Sequence, residues 1–528
     1  MGNFYDAMTN TTNNVSVTEN GMVGYKTTNH ALLDFNFKVA SYRHNVAAGV
    51  EDFKKVLAER DQYALKYLFY LRDVREGMGE RHLFRECLKA FVNNSTISYK
   101  DRVIKKIINE TSNYGRFDDL FVLLDTDYAN LVFEKCKAQL SEDYDNYVNK
   151  KNVSLLAKWM PSVNASAKAR QLALRFVKAF NTTEREYRKM LSDLRKHLKI
   201  VEQKMCDREW DSIDYNTVPS KANLKYKEAF LRNDEARRRE FLAKLIAGDK
   251  TVKINSTVLF PHEIVSKYVG DGWCSEHVKA YDASLEAMWK GLKECVGLND
   301  TIVVRDGSGS MSSHVGGTNI TALSVSTALA IYCSEHTNAA FKDKFITFSS
   351  KAKLIDLSKC GSLQAKVKRC YEEGDCSNTN LKNVFDLILN TAVDNNMKQE
   401  EIPSTVLVIS DMEFDGRWFN GGGNVIAAAA SDFAAHGYKL PKLAFWNVNS
   451  RTGTIPVKQN ENGVVLISGF SQNVLSMVMN GKTDPYDALV EELTRERYEK
   501  IPLINYCNST KNVVKYKSVK REKPSFLK

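Results

Sequence analysis

A short loop in the second half of the chain carries one carboxylate and two hydroxyls on alternate residues. The pentad Asp306-Gly307-Ser308-Gly309-Ser310 begins with the last residue of the apolar run TIVVRD. Because alternate residues of a tight loop project together, the three oxygen-bearing side chains are expected on one side. Hard oxygen ligands suit Mg²⁺, which prefers octahedral oxygen coordination and keeps several waters. The pentad indicates a divalent-cation site, with a capped turn that holds no metal as the alternative.

Two more polar residues follow predicted elements of the same region. Thr379 lies in the loop GDCSNTN, 73 residues after Asp306, and Asp411 ends the apolar run STVLVIS a further 32 residues on. Since the carboxyl ends of parallel strands meet at one edge of a sheet, we expect these three residues to come together there. Thr318 and Thr321 are competing hydroxyl candidates, which we assign to the start of the first helix of this region.

The elements that must position these residues alternate along residues 299–485. Short, β-branched, almost continuous apolar runs (TIVVRD, DKFITFSS, STVLVISD, PKLAFWNV and VVLISGF) are separated by helical segments such as TALSVSTALAIYCSEHT and LKNVFDLILNTAV. Strands without polar alternation are typical of parallel sheets that are buried on both faces. The pattern predicts a doubly wound, Rossmann-like α/β domain, in which ligands bind at the carboxyl ends of the strands.

Residues 1–298 are typical of a helical module. ALKYLFYLRDVREGMGERHLFRECLKAFVN shows two apolar-periodic runs that break at Gly77 and Gly79, and EREYRKMLSDLRKHLKIVEQKM predicts one long amphipathic helix after a capping box that begins at Thr183. Successive helix pairs over this length fit an α-helical, HEAT-like solenoid or ring. Residues 486–528 are predicted to form a C-terminal helix and a basic tail.

The second region resembles a von Willebrand factor A domain. The pentad D-x-S-x-S, the later Thr379 and Asp411, and the run VVLISGFSQNVLSMVM carry the resemblance. In that family three loops form a metal-ion-dependent adhesion site (MIDAS), whose open position captures a partner's carboxylate. The resemblance implies Mg²⁺, or another divalent cation, held directly or through water by Asp306, Ser308, Ser310, Thr379 and Asp411. Arg305 stands where a strand residue is usually apolar, and it is expected to weaken metal affinity or to pair with Glu413 or Asp415.

The first region resembles a Ro-related family. The runs TENGMVGYKTTNHALLDFNF, YLRDVREGMGERHLFREC, EYRKMLSDLRKHLKIVEQKM and LFPHEIV carry this resemblance. Members of the family join a TROVE-like helical module to a von Willebrand A domain, and the two-part order of this chain is similar. Because the helical repeats of Ro ribonucleoproteins bind small or misfolded non-coding RNA, the resemblance implies an RNA-binding protein.

Positive charge is concentrated on part of the predicted helical module. The chain has a net charge of +11, and residues 151–200 contain 12 lysines and arginines against three acidic residues. A phosphate backbone favours such a surface, because each neutralised phosphate releases condensed counterions. The candidate RNA contacts are Arg185, Arg188, Lys189, Arg195, Lys196 and Lys199. Tyr187 lies among them and is a candidate for stacking on an unpaired base, with a solvated helix face and an inward-packed Tyr187 as the alternative.

A second basic cluster surrounds the Gly77 and Gly79 turn. Its members are Arg72, Arg75, Arg81 and Arg85. Arginines beside a glycine turn suit the close approach of a phosphate. They also suit salt bridges to Asp73, Glu76 and Glu80, which is the interpretation we favour.

Several function classes lack their motifs. His262-Glu263 begins the zinc-protease pattern H-E-x-x-H, but Ser266 stands in place of the second histidine, and neither a Walker A sequence nor a C-x-x-C pair occurs. No base accompanies Ser308 or Ser310, so we expect no enzyme. With no signal peptide and no apolar run long enough to cross a membrane, we expect a cytoplasmic protein that does not contact membranes.

Together these features predict a Ro-like RNA-binding protein with a metal-dependent site for a protein partner on its von Willebrand A domain. The alternative is a protein-interaction scaffold, in which the helical array binds a peptide and no specific nucleic-acid role exists. The two differ in their response to salt, because RNA binding weakens steeply as salt rises.

Overall fold

The part of the chain that the computed structural model describes comprises residues 13–94, 100–270, 274–295, 297–338, 340–348, 351–373, 379–416, 425–457, 463–480, 482 and 484–504. Up to residue 295 these residues are mainly helical, and from residue 301 they form a six-stranded mixed sheet with helices. The predicted order, an α-helical region followed by an α/β region, is therefore confirmed. We call residues 13–298 the helical part and residues 299–504 the α/β part.

The helical part opens with an antiparallel hairpin of β1 (Val15–Val17) and β2 (Val23–Tyr25). The helices that follow it are α1 (Ala31–Lys38), α2 (Val46–Ala58), α3 (Ala64–Arg72), α4 (His82–Asn94), α5 (Lys100–Tyr114), α6 (Ala129–Val148), α7 (Leu156–Trp159), α8 (Ala167–Phe180), α9 (Glu184–His197), α10 (Val201–Cys206), α11 (Ser220–Asn233), α12 (Glu235–Ile246), α13 (Pro261–Val269) and α14 (Ala283–Lys290).

Two local sequence signals act as predicted, and one does not. Gly79 has a φ of 74° and turns the chain between α3 and α4, and Thr183 caps α9. The single long helix predicted after Thr183 is wrong. Lys199 adopts a φ of 48°, in the left-handed region, and separates α9 from α10.

The strands of the α/β part are β3 (Thr301–Asp306), β4 (Lys344–Phe348), β5 (Leu354–Asp356), β6 (Thr405–Ser410), β7 (Lys442–Asn447) and β8 (Val464–Ser468). Its helices are α15 (Ala322–Glu335), α16 (Leu363–Glu372), α17 (Leu381–Asp394), α18 (Val425–Ala435), α19 (Ser476–Met479) and α20 (Pro485–Leu493). No helix in the described ranges has the length and apolar content needed to cross a membrane.

The order of the strands creates a switch point in the middle of the sheet. The order is β5-β4-β3-β6-β7-β8, and neighbouring strands are parallel except for β4 and β5. The chain builds outward from β3 to β5 and then returns to the other side of β3 with β6. The carboxyl ends of β3 and β6 therefore flank the place where open α/β sheets bind ligands.

One continuous hydrophobic cluster joins the two parts of the chain, with members from Met22 to Ile504. Residues 322–334 of α15 are all buried, because both β3 and α13 of the helical part pack on this helix. A helix that is buried on every side must be largely apolar around its circumference, as this one is. A second, smaller cluster lies between α10 and α12 and includes Phe230 and Phe241.

The beginning of the chain also packs on the sheet. Asn36 in α1 donates from Nδ2 to the Leu466 carbonyl of β8 at 3.1 Å, and Asn447 at the end of β7 donates to the Phe37 carbonyl at 2.7 Å. Helices α1 and α13, near the two ends of the helical part, thus both contact the α/β part. The domain boundary at residues 298–299 stays a prediction.

The C-terminal segment is fastened to the helical part by a buried carboxylate. Asp73 is fully buried, and it accepts hydrogen bonds from Arg497 Nη2 at 2.8 Å and from the Tyr498 hydroxyl at 3.2 Å. Both donors follow α20, which corresponds to the predicted C-terminal helix. The predicted basic tail lies outside the described residues.

Candidate metal site and basic surfaces

Two fully buried carboxylates lie at the switch point of the sheet. Asp306 Oδ2 accepts a hydrogen bond of 2.6 Å from the Ser410 hydroxyl, and Oδ1 accepts one of 2.9 Å from the Ser308 backbone N–H. Asp411 directly follows β6, and its Oδ1 accepts from the Glu413 backbone N–H at 3.2 Å. Because β3 and β6 are adjacent and parallel, their ends bring the two aspartates together.

Two serine hydroxyls lie with these carboxylates. Ser308 Oγ and Ser310 Oγ are 2.9 Å apart, on a loop that the 3-10 turn Gly309–Ser312 shapes. Ser308 is buried and Ser310 is half-buried, so solvent reaches the cluster from the Ser310 side. The structure thus brings together four of the five predicted ligands.

Burial and mutual repulsion oppose full ionisation of the carboxylate pair. Burial raises the pKa of Asp306. The pKa of Asp411 is raised to about 7, first by burial and then by the charge of Asp306, while the Ser310 hydroxyl and Arg451 oppose the rise. A cation between two such carboxylates removes their repulsion and favours the ionised form. The donor set, made entirely of hard oxygens, fits a small divalent cation.

Thr379 lies beside this cluster, with its hydroxyl bound to other protein groups. The hydroxyl donates to the Glu413 carbonyl at 2.8 Å and accepts from Asn20 Nδ2 at 3.3 Å. The Thr379 carbonyl accepts from the Asp415 N–H at 2.9 Å. Within the described residues no hydrogen bond joins Thr379 to the other four predicted ligands. Thr379 is therefore at the expected edge, where it fixes the loop that carries Asp411.

Glu413 is the centre of a buried hydrogen-bond cluster that the sequence did not reveal. Its Oε2 accepts from the Glu19 backbone N–H at 2.9 Å. Its Oε1 accepts from the backbone N–H groups of Arg451 and Thr452, both at 2.9 Å. One carboxylate therefore fastens the hairpin at the start of the chain and the loop after β7 to the candidate metal-site loop.

The tip of the β1–β2 hairpin covers this loop. The Thr18 hydroxyl donates to the Phe414 carbonyl at 2.6 Å, across 396 residues of sequence. The two backbones approach so closely that a Cβ atom on Gly416 would lie 2.2 Å from the Gly21 carbonyl oxygen. No local pattern signals such a contact, because neither periodicity nor motif spacing reports pairing over this distance.

The cation that faces the site is Arg451. Its Nη1 lies 3.3 Å from Asp411 Oδ2, and its Nε donates to Glu19 Oε1 at 2.8 Å. Arg305 instead donates from Nη1 to the Cys370 carbonyl at 2.7 Å, rather than to Glu413 or Asp415 as expected. Adjacent residues of a strand point to opposite faces of the sheet, and this separates Arg305 from the Asp306 side chain.

The two competing threonines belong to the turn before α15, as predicted from the sequence. Thr321 is the N-cap residue and accepts from the Ser324 N–H at 3.1 Å. The Thr318 hydroxyl donates to the Val315 carbonyl at 2.6 Å.

Five of the six predicted RNA contacts lie exposed on α9 and the turn after it. These five residues are Arg185, Arg188, Lys189, Lys196 and Lys199. None of them forms an ion pair within the described part of the chain. Arg195 differs, because its Nε donates to the Ala157 carbonyl at 2.8 Å and its Nη2 to the Met160 carbonyl at 2.7 Å. Arg195 therefore holds the end of α7 and is not free to bind phosphate.

Tyr187 does not take part in this surface. It is fully buried, and its hydroxyl donates to the Pro161 carbonyl at 2.9 Å. Leu191 and Leu194 are buried on the same face of α9. The predicted stacking on a base is wrong for Tyr187, and the inward-packed alternative is confirmed.

Two of the four arginines around the Gly79 turn form ion pairs, and the predicted pairing with Asp73, Glu76 and Glu80 is wrong. Arg72 and Arg85 both donate from Nε to Asp119, at 2.8 and 2.7 Å. The expected acidic partners are bound by arginines from elsewhere in the chain: Asp73 by Arg497, Glu76 by Arg495 and Glu80 by Arg43. Arg75 and Arg81 form no ion pair among the residues described.

Comparisons with known proteins match both parts of the chain. A family model described as a domain of unknown function, DUF7788, matches residues 300–521, and a second, DUF2828, matches residues 166–295. The chain is 29% identical over 507 residues to the uncharacterized protein L728 of Acanthamoeba polyphaga mimivirus. That match covers 89% of this chain and 85% of the viral protein, so it extends over both the helical part and the α/β part of this chain.

Replacing Glu413 with glutamine is expected to destabilise the fold. An amide offers one acceptor oxygen and one NH₂ donor, so a buried N–H group that now binds Oε1 or Oε2 loses its acceptor. Since an unsatisfied buried group costs about 1–3 kcal/mol, and more next to charge, we expect the free energy of unfolding to fall by about 2–4 kcal/mol. Urea denaturation followed by circular dichroism measures this change.

The matched control is Glu400→Gln, which makes the same chemical change at an exposed position. It is expected to alter the free energy of unfolding by less than about 0.5 kcal/mol. Equal denaturation midpoints for the two variants would contradict the role assigned to Glu413.

Proposed function

We propose that the α/β part is a von Willebrand A-type docking domain with a divalent-cation site at Asp306, Ser308, Ser310 and Asp411. The observation that carries the proposal is the meeting of two buried carboxylates and two serine hydroxyls at the switch point of the sheet. The D-x-S-x-S loop and the position of Asp411 after the neighbouring strand support the same assignment.

The chemistry of this site is binding rather than bond cleavage. A Mg²⁺ ion, or another divalent cation, would supply an open coordination position for a carboxylate of a protein partner. In this proposal Asp306 and Asp411 hold the cation, and the two serine hydroxyls complete the protein's ligands. Thr379 acts on the same loop through the Glu413 carbonyl.

We propose further that the helical part, as a HEAT-like array of the Ro-related kind, binds small or misfolded non-coding RNA. The specific observation in favour is the basic face of α9, whose exposed cations have no internal ion pairs among the described residues. Positive charge that is not neutralised by the protein's own carboxylates remains free to displace counterions from phosphates. The resemblance to Ro-related proteins supports this assignment.

Replacement of Asp306 by asparagine is expected to abolish stoichiometric Mg²⁺ binding. The change keeps the shape of the side chain but removes one of the two carboxylates that hold the cation. Isothermal titration calorimetry should give one Mg²⁺ per wild-type chain and at least a 100-fold weaker interaction for the variant. Mg²⁺ should raise the melting temperature of the wild type but not that of Asp306→Asn, because a ligand stabilises only a fold that binds it.

The control for this experiment is Asp394→Asn, at an exposed position at the end of α17. It should bind Mg²⁺ as the wild type does. Full retention of one Mg²⁺ by Asp306→Asn would refute the assigned site.

Charge reversal on α9 is expected to weaken RNA binding. The double variant Arg188→Glu with Lys196→Glu removes two exposed cations, and the control Lys342→Glu with Lys359→Glu makes the same change on the α/β part. The probe is a short RNA hairpin with a single-stranded 3′ end, compared with a blunt duplex across a salt series. The logarithmic salt slope should flatten by about 0.7 for each lost phosphate contact with a single strand.

Preference for the free 3′ end, together with a loss confined to the α9 variant, would support the RNA proposal. Unchanged affinity of the α9 variant at moderate salt would exclude this helix as the site. Weak binding without end preference would favour the protein-scaffold alternative.

A further inference from the structure

A second basic surface lies in the helical part, on elements other than α9. A cavity of about 360 Å³ is formed by α11, α13 and the segment that leads into α14. We call it the lysine cavity, after the side chains that line it: Lys225, Lys227, Lys267 and Lys279. Its volume falls in the range of small-ligand sites, which is about 300–1,000 Å³.

The two acidic residues of the lysine cavity do not neutralise its lysines. Lys227 alone pairs with both of them, at 2.6 Å from Asp282 and 2.5 Å from Glu228. Asp282 also caps α14 by accepting from the Ser284 N–H at 2.8 Å. The other three lysines form no ion pair within the described residues, so the lysine cavity has an excess of positive charge.

An exposed aromatic ring stands at the rim of the lysine cavity. Tyr281 is 54% exposed, and it also lines a neighbouring cavity of about 400 Å³. In contrast, Tyr268 in the same wall is buried, and its hydroxyl donates to Glu286 at 2.7 Å. Tyr281 is therefore the ring that a ligand in the lysine cavity can stack on.

A buried cation on α12 lacks a hydrogen-bond partner among the described residues. Arg238 is fully buried among the rings of Tyr215, Phe230 and Phe241, and none of its three guanidinium nitrogens has a hydrogen-bond acceptor among the residues described. Burial lowers its pKa to about 10, and Asp282 opposes this effect. The same carboxylate that pairs with Lys227 thus also acts on the buried Arg238.

We propose that the lysine cavity binds one phosphate-bearing nucleotide, with the phosphate on Lys225, Lys267 and Lys279 and the base stacked on Tyr281. Ammonium groups are point charges that suit a phosphate, and base stacking on an exposed ring needs no sequence-specific contact. The charged lysines match an acidic peptide too, but such a peptide leaves Tyr281 without a role. The nucleotide is either free or the terminal unit of an RNA, and the RNA source rests on the proposed function.

The experiment titrates the full chain with inorganic phosphate, AMP and a single-stranded RNA pentamer that carries a 5′ phosphate. The variants are Lys267→Glu with Lys279→Glu, Tyr281→Ala and the conservative Tyr281→Phe. The control is again Lys342→Glu with Lys359→Glu. Since all of the replaced side chains are exposed, we expect every variant to fold. Thermal melting of each variant verifies this.

The lysine variant should lose phosphate, AMP and pentamer binding by tenfold or more, whereas the control should bind all three as the wild type does. Tyr281→Ala should weaken AMP binding about tenfold, within the range that base stacking contributes. Tyr281→Phe should retain AMP binding within about twofold, and inorganic phosphate should bind to both tyrosine variants as it does to the wild type.

Comparing the α9 variant with the lysine variant distinguishes the lysine cavity proposal from the proposed function. AMP binding that survives in the α9 variant supports the lysine cavity whether or not RNA binds, and pentamer binding that exceeds AMP binding identifies an RNA end as the source. If the hairpin RNA binds through α9 while neither AMP nor the pentamer responds to the lysine variant, the lysine cavity proposal is overturned and the proposed function stands. AMP binding that is unaffected by Tyr281→Ala overturns the stacking arrangement.

Discussion

The carboxylate of Glu413 joins three segments that are far apart in the sequence. It is fully buried, and each of its oxygens accepts backbone N–H bonds from a different segment: Oε2 from the hairpin at residue 19, and Oε1 from residues 451 and 452. Removing a carboxylate from water is costly, and charge-assisted hydrogen bonds on both oxygens are what offset that cost. The arrangement forms only when hairpin, site loop and the loop after β7 are all in place.

The geometry of the candidate metal site depends on this arrangement. The loop after β6 turns at Met412, a buried residue. The backbone of Met412 has a φ of 65°, in the left-handed region that residues other than glycine rarely adopt. Such a conformation costs of order 1–3 kcal/mol and persists where surrounding contacts determine it. Here Asp411 lies on one side of Met412 and Glu413 on the other, so the bonds of Glu413 hold the turn that directs Asp411 towards Asp306.

Much of this site follows from the sequence, because local patterns specify it. Continuous apolar strands require a buried parallel sheet, and adjacent parallel strands bring Asp306 and Asp411 to one edge. The roles of Asn20, Glu413 and Arg451 were not predicted, because no local pattern specifies their contacts. Their contacts join residues that lie, for example, 38 and 432 positions apart, and a single sequence contains no periodicity that reports such pairs.

On the basic helix α9, the sequence indicates the position of one side chain, Tyr187, but not the role of another, Arg195. Tyr187, Leu191 and Leu194 share the buried face of α9, and their spacing of four and three residues is that of one helix face. The inward position of Tyr187 therefore followed from the sequence. The role of Arg195 did not, because the carbonyl groups it binds, at the end of α7, become neighbours only through tertiary packing.

The distribution of charge separates the two kinds of binding that we propose. Residues 301–500 contain 20 basic and 22 acidic side chains, whereas residues 151–200 contain 12 basic and three acidic ones. A polyanion is attracted to the second region and repelled by the clustered carboxylates at Asp306 and Asp411. A cation bound between those carboxylates changes the potential only locally, because salt screens charges beyond about 8–10 Å under physiological conditions. In the two proposals, the protein partner and the RNA would therefore bind at separate places: the partner's carboxylate at an open coordination position of the cation, and the RNA on the basic face of α9.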